Sequence, residues 1–169
     1  MGAGAARALA AVLAACAVLA AAPAASAPPP RGLFVPGISL GGVELGMTKA
    51  EVMREWGRAH GLCRGCRRET WYFTYRAFEP QGTGVVFRRG RVVHAFTFWK
   101  PEGWRTSDGL ALGAPREEVG AGLVIRDERP CDGYEAVLAP GPSAESVFYV
   151  YRDRLWGFGL MRPGADPCL

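Results

Sequence analysis

The residues best suited to chemistry are two cysteines separated by two positions, Cys63 and Cys66. Such a pair can act as a redox centre when a helix N-terminus lowers the pKa of its thiols. Here the pair follows the predicted end of a helix, where the dipole acts in the opposite direction. Haem attachment would need a histidine where Arg67 stands. We interpret the pair as a structural disulfide, with redox chemistry and metal binding as the alternatives.

The two histidines, His60 and His94, have no visible catalytic companions. Nucleophilic catalysis needs a Ser, Thr or Cys beside a histidine, and a carboxylate that orients the ring. The carboxylates of Glu51 and Glu118 are better explained as residues that begin helices. We therefore predict that the chain is not an enzyme and holds no metal and no cofactor. A small secreted enzyme built around one of the histidines is the alternative.

Aromatic residues are the largest chemical surplus of the chain, and they crowd the predicted strands. Strands are predicted at residues 70–75, 84–88, 91–99, 135–138, 146–151 and 155–161. Side chains alternate between the two faces of a strand, so one set of rings should form a core and the other an open face. Exposed Trp and Tyr beside Arg are typical of protein-binding surfaces. We predict that this face binds a protein partner through Tyr72, Trp99, Trp104, Tyr149 and Tyr151; ordinary core packing is the alternative.

Two runs of arginine form basic clusters: Arg64, Arg67 and Arg68, and then Arg88, Arg89 and Arg91 at a predicted hairpin turn. A solvated face or a protected sheet edge is the default interpretation. Attraction to anionic envelope polymers or lipid head groups is the functional alternative. The net charge of +4 is too small to drive binding to nucleic acid by itself, so no nucleic-acid partner is predicted.

The N-terminal residues 1–27 have the pattern of a secretory signal peptide. Arg7 precedes an apolar run over residues 8–22, and small residues follow at positions 24–27. The run is short and alanine-rich for a membrane span. The sequence therefore predicts a secreted, extracytoplasmic protein. Two alternatives stay open: lipid anchoring to the envelope through Cys16, which ends a lipobox-like Leu13-Ala14-Ala15-Cys16, and an uncleaved anchor.

Four cysteines remain after removal of the signal peptide: Cys63, Cys66, Cys131 and Cys168. An even number in an exported domain indicates two disulfides, and three pairings are possible. We favour Cys63 with Cys66 and Cys131 with Cys168. The second bond would fasten the C-terminal tail and stabilise the fold by roughly 3–4 kcal/mol in the chain-entropy model.

The remainder of the chain contains two similar segments. Residues 42–52 match residues 109–119 at a constant offset of 67, and residues 89–92 match residues 152–155 at an offset of 63. Each copy begins with a helix start: Thr48 and Glu51 form a capping-box pattern in the first, and Pro115 suits the first turn of the second.

We therefore predict an α+β fold, a tandem repeat of a short helix plus antiparallel strands that form one sheet with helices on one face. Residues 28–37 form a Pro-rich segment, and residues 38–169 form a single domain. That domain holds repeat 1 at about 38–99, repeat 2 at about 105–161 and a tail at 162–169. The two copies have the same residue at the positions of Gly42, Leu45, Gly46, Glu51 and Val52 in the first copy.

The element Leu45-Gly46-Met47-Thr48, followed by Glu51-Val52 and aromatic strands, resembles the signature of the BamE-like (SmpA/OmlA) domains and of the secreted β-lactamase inhibitor proteins. The resemblance covers roughly residues 38–161. It implies a helix-plus-sheet fold built as a repeat. It also implies two non-catalytic roles: inhibition of an extracellular hydrolase, or, as the alternative, a structural or assembly role as an envelope lipoprotein.

Overall fold

The computed structural model describes residues 32–73, 82–98 and 103–168, and over these ranges the protein is mostly β-structure. The predicted signal peptide and Cys16 lie outside the described residues. The elements are β1 (Leu33–Val35), β2 (Ser39–Leu40), α1 (Lys49–Trp56), β3 (Gly61–Leu62), β4 (Glu69–Tyr72), β5 (Gly82–Arg88), β6 (Arg91–Phe98), β7 (Arg105–Thr106), a 3-10 turn (Arg116–Glu118), β8 (Asp127–Pro130), β9 (Glu135–Pro140), β10 (Glu145–Tyr151) and β11 (Arg154–Met161).

Eight strands form one antiparallel sheet in the order β3-β4-β5-β6-β11-β10-β9-β8. The two longest strands, β6 and β11, pair at its centre, with Gly157 opposite Phe98 and Met161 opposite His94. A smaller sheet has the order β2-β1-β7, in which β1 and β7 are parallel. The central pairing joins the strands of the first half of the chain to those of the second half.

Helix α1 begins where the sequence predicts. The Thr48 hydroxyl accepts a hydrogen bond from the Glu51 amide at 3.3 Å, and the Glu51 carboxylate accepts one from the Thr48 amide at 2.7 Å. This reciprocal capping satisfies two donors that a helix start leaves free. The helix ends at Gly57, which has φ of 84°. It buries Trp56, whose indole donates to the Gly41 carbonyl at 2.8 Å.

The predicted fold class, a tandem repeat of helix plus strands with helices on one face, is wrong. After Pro115 the described chain makes only the 3-10 turn, because Gly120 and Gly122 adopt φ of 91° and 81° and break the helical path. The described residues therefore contain one α-helix and eleven strands in two sheets. The two halves of the chain nevertheless share one set of equivalent hydrogen bonds between a loop and a central strand.

Those matching contacts lie beside the first residues of β6 and β11. Gly46 and Met47 exchange backbone hydrogen bonds with Val92, at 2.8 and 2.9 Å. Gly113 and Ala114 do the same with Leu155, at 2.7 and 2.8 Å. The Arg91 guanidinium donates to the Gly46 carbonyl at 3.1 Å, and Arg154 donates to Gly113 at 2.9 Å. Each loop segment therefore pairs with the part of a central strand that the other central strand does not reach.

The large sheet has buried apolar side chains on both faces, which the predicted one-sided arrangement does not allow. The face toward α1, here the helix face, carries a cluster that includes Val52, Trp56, Phe87, Phe148 and Phe158. The opposite face, here the ring face, carries a second cluster that includes Val86, Phe96, Phe98, Tyr149 and Met161. A sheet buried on both sides has no wide open surface for a partner.

Glycines on the central strands make room for the rings. A Cβ atom at Gly157 would lie 2.5 Å from the Thr97 carbonyl oxygen and 2.6 Å from Cδ1 of Phe98. A Cβ at Gly84 would lie 2.4 Å from the Phe96 ring. Each ring lies over the backbone of a glycine on a neighbouring strand and occupies the space that a side chain at that position would take.

The structure joins Cys63 to Cys66 and Cys131 to Cys168, with Cα atoms 5.6 and 5.5 Å apart, the pairing that we favoured. Disulfides persist in oxidising compartments, so the two bonds indicate an extracytoplasmic protein. Among the residues of known placement, no helix is both long and apolar enough to cross a membrane.

Replacing Gly157 by Ala should lower the free energy of unfolding by about 2 kcal/mol, because the added methyl group overpacks against backbone and ring atoms. Chemical denaturation would measure the loss. Gly65→Ala is the matched control, since no heavy atom lies within 4 Å of a Cβ at that position. Equal stability of the two variants would contradict the packing described here.

Removing the Cys131–Cys168 bond by a double alanine substitution should cost about 4 kcal/mol of stability, because the residues are 37 positions apart. Removing Cys63–Cys66, which spans 3 positions, should cost about 2 kcal/mol in the same model. Denaturant titration of both variants gives the two values, and a larger loss for the shorter loop would contradict the expected order.

Candidate functional site

The predicted contact residues do not share one exposed surface. Trp104 and Tyr149 have no exposed area, so neither lies on the open face that was predicted for them. The Trp104 ring lies against the backbone of Gly32 and Gly41. Tyr72 is half-buried and Tyr151 is 39% exposed, while Trp99 lies outside the described residues.

Tyr149 is buried because it belongs to a polar chain inside the ring-face cluster. Its hydroxyl lies 3.0 Å from Nε2 of His94 and donates to the Pro167 carbonyl at 3.3 Å. Burial lowers the pKa of His94 from 6.5 to about 4, and the charge of Arg68 acts in the same direction. Burial also raises the pKa of the Tyr149 phenol. Both groups are neutral near pH 7, and the Tyr149 hydroxyl holds the C-terminal tail onto the sheet.

Five aromatic rings form a continuous line across the ring face, from Tyr72 through Phe96, Phe98 and Trp156 to Tyr151. Consecutive ring centroids are 6.0, 5.3, 4.5 and 5.8 Å apart. These separations are within the range of favourable aromatic pairs. Phe96 and Phe98, in the middle, are 3% and 8% exposed, whereas both ends of the line reach solvent. The accessible aromatic surface is therefore at the ends.

The more exposed end forms a cluster that we call the Tyr151 patch: Tyr134, Tyr151, Arg152 and Trp156. The Arg152 guanidinium lies 5.0 Å from the Tyr151 ring centroid, in cation–π geometry. Trp156 contacts Tyr151 on one side and Tyr134, at 5.7 Å, on the other. Tyr134 in turn contacts Tyr149, which anchors the cluster in the core.

Backbone irregularities position the Tyr151 patch. The register of β10 and β11 shifts between Tyr149 and Val150, which leaves Trp156 as an extra residue on β11. Such a bulge places the Trp156 side chain on the ring face, whereas strict alternation along β11 would place it on the helix face. The adjoining turn holds Arg152 and Asp153 at φ of 50° and 56°. Sequence reasoning missed Trp156 and Tyr134 as site residues, because nothing in the residue types marks a bulge.

The other end of the ring line borders a groove beside the edge strand β3. The groove has a volume of about 430 Å³ and is lined by residues 59–64, Tyr72 and Phe73. His60 stacks on Trp71 with centroids 3.8 Å apart, and its buried Nδ1 has no hydrogen-bond partner in the described structure. The Trp71 indole donates to Glu69, which also pairs with Lys49 at 2.7 Å. These contacts hold the groove wall in place.

No metal site is visible where the chain is described: no group of three or more His, Cys, Asp or Glu side chains could hold an ion there. His60 and His94 lie apart from one another, one stacked on Trp71 and the other hydrogen-bonded to Tyr149. Cys63 and Cys66 are bonded to each other. The Tyr151 patch brings aromatic rings and a guanidinium together at a partly exposed position.

Comparisons with known proteins give one distant likeness. No protein-family model matches the chain, and no curated protein matches it significantly. An extracellular protein containing an SCP domain from Bacillus anthracis str. Ames is similar to it in structure, with a TM-score of 0.49 and 15% sequence identity. The likeness covers 70% of this chain and 44% of that one, so this chain spans less than half of that protein. It does not place the two proteins in one family.

The pKa of His94 predicts a loss of stability in mild acid. Between pH 6.5 and about 4 the unfolded chain protonates this imidazole and the folded chain does not, so stability falls as the pH falls through this window. The loss from this residue should reach about 3 kcal/mol by pH 4. Denaturation of wild type and His94→Gln at pH 7 and pH 4.5 would measure it.

His94→Gln should flatten the pH dependence relative to the wild-type protein. His60→Gln is the matched control for loss of a histidine outside the ring-face cluster. A His94→Gln variant that loses as much stability in acid as wild type would contradict the assignment.

Proposed function

We propose that this chain is an extracytoplasmic, non-catalytic binding module that recognises a protein partner through the Tyr151 patch. The observation that carries the proposal is the contact of Tyr151 with both Arg152 and Trp156 at a partly exposed position. Trp, Tyr and Arg are the residue types that dominate binding energy at protein interfaces. Their clustering at one hairpin supports a compact contact site.

The rigidity of the patch supports the same function. Trp156 stacks on Phe98 at 4.5 Å, and Tyr134 packs on Tyr149, whose hydroxyl is held by the tail. Side chains fixed before binding lose little conformational entropy when a partner docks. The rings of Trp156 and Tyr134, which are held in place by buried rings behind them, can therefore contribute more to affinity than their exposed area alone indicates.

An extracellular hydrolase is the partner class to test first. The support is the resemblance of Leu45-Gly46-Met47-Thr48 to the signature shared with secreted β-lactamase inhibitor proteins. An envelope-assembly role of the BamE-like kind would instead require the mature chain to begin with a lipid-bearing Cys16. Mass spectrometry of the mature N-terminus distinguishes the two roles, because diacylation adds the mass of two acyl chains.

Site-specific photo-crosslinking tests the contact surface. A photoreactive phenylalanine analogue at position 151 should crosslink a specific protein in culture medium or envelope extracts, because the patch would lie inside the interface. The same analogue at Val124, which is 76% exposed, is the matched control for an accessible apolar position. Identical crosslinked products at both positions, or none at position 151, would contradict the proposal.

Affinity for the captured partner should fall at least about tenfold in Trp156→Ala, because truncating an interfacial Trp removes a dominant contact. Val124→Ala should bind as wild type does. Thermal unfolding of both variants checks that they fold. Unchanged affinity in a folded Trp156→Ala variant would show that the Tyr151 patch is not part of the interface.

A further inference from the structure

The two arginine clusters of the sequence meet in the fold. In the pairing of β4 with β5, Glu69 lies opposite Phe87, so the preceding Arg68 lies beside Arg88. Arg88 in turn lies directly opposite Arg91 in the pairing of β5 with β6. These three arginines therefore occupy neighbouring positions at one end of the large sheet, Arg68 directly before β4 and the other two on β5 and β6.

Three further arginines extend this row, and we call the whole set the arginine ledge: Arg64, Arg67, Arg68, Arg88, Arg89 and Arg91. All six side chains are exposed. The Cys63–Cys66 bond closes the loop that presents the first members, and a tight turn with Arg89 at φ of 52° presents the others. Arg68 also lies near enough to the ring face to act on the pKa of His94.

Some basic residues outside the ledge form ion pairs with carboxylates. Arg116 pairs with Glu128 and Glu135, at 2.7 and 3.2 Å, and Arg126 pairs with Glu145. Within the described ranges no ion pair involves a member of the ledge.

The carboxylates nearest to the ledge along the chain are already engaged. Glu69 is bound by Lys49 and by the Trp71 indole. Glu51 accepts the hydrogen bonds that cap α1, which lower its pKa, and the charge of Arg91 acts on it in the same direction. Like charges on directly opposite strand positions destabilise a sheet unless something neutralises them. An anionic molecule bound at the ledge would therefore relieve this repulsion.

We infer that the arginine ledge is a binding site for a linear polymer that carries repeated oxyanions, either phosphate or carboxylate groups. Guanidinium groups bind both kinds of oxyanion through paired N–H donors. Adjacent strands are about 4.8 Å apart, so Arg68, Arg88 and Arg91 present positive charge over a width of about 10 Å. A polymer chain crossing the strands can satisfy several arginines at once, whereas a single small anion meets one or two.

Binding to immobilised polymers tests the inference with the full mature chain. Linear polyphosphate and poly-L-glutamate are the two probes, and they distinguish a phosphate from a carboxylate polymer. The double variant Arg68→Gln/Arg88→Gln should bind at least one probe about tenfold more weakly at physiological salt, with a shallower salt dependence. Arg105→Gln/Arg154→Gln is the control, because it removes two exposed arginines away from the ledge.

Several outcomes decide the inference. Binding of either polymer that is weakened by the ledge variant and not by the control supports it, and the preferred probe gives the ligand chemistry. Absence of binding to both polymers, or equal weakening in both variants, overturns it. Binding to phosphatidylglycerol vesicles without binding to either polymer also overturns it, since that result assigns the ledge to a membrane surface. Substitution of the ledge arginines should not affect crosslinking at position 151, so one proposal can be overturned while the other stands.

Discussion

The antiparallel pairing of β6 with β11 is the contact on which the rest of this structure depends. It is the sole point in the described sheet where strands from the two halves of the chain bond to one another. The two strands are offset, so the first residues of each extend past the other and bond instead to Gly46 or Gly113. The pairing thereby unites two groups of four strands and fixes the positions of the loops that cover the helix face.

The same pairing explains why the protein has little open aromatic surface. Gly157 and Gly159 of β11 lie opposite Phe98 and Phe96, and the absence of side chains lets neighbouring rings lie flat over the strand backbone. The rings therefore pack against one another and bury themselves in the middle of the sheet. Tyr72, Trp156 and Tyr151 keep solvent contact, and the bulge brings Trp156 onto this face of the sheet.

Local patterns in the sequence predicted local structure well. Capping by Thr48 and Glu51, the Cys63–Cys66 bond and the positions of β4 to β6 and β9 to β11 depend on neighbouring residue types, and all appear as expected. The Cys131–Cys168 bond spans 37 positions and was predicted because these two cysteines of the mature chain are left once Cys63 and Cys66 are paired. Long-range features were missed, because burial of Trp104 and Tyr149 depends on segments distant in sequence. The predicted second helix does not form, because Gly120 and Gly122 break the helical path that would begin at Pro115. The short strands were not predicted, because they lack an alternating pattern; they are β1, β2, β3, β7 and β8.

The offset antiparallel centre also separates the two hairpins in space. The turn after β5 and the turn after β10 point toward opposite ends of the large sheet, since β6 and β11 run in opposite directions. Each central strand has 8 residues and the two pair over only five of them, so the turns are roughly 35 Å apart. A molecule held at one turn leaves the other unobstructed. The geometry is that of a short rigid adapter, able to bring two different surfaces within a few nanometres of each other.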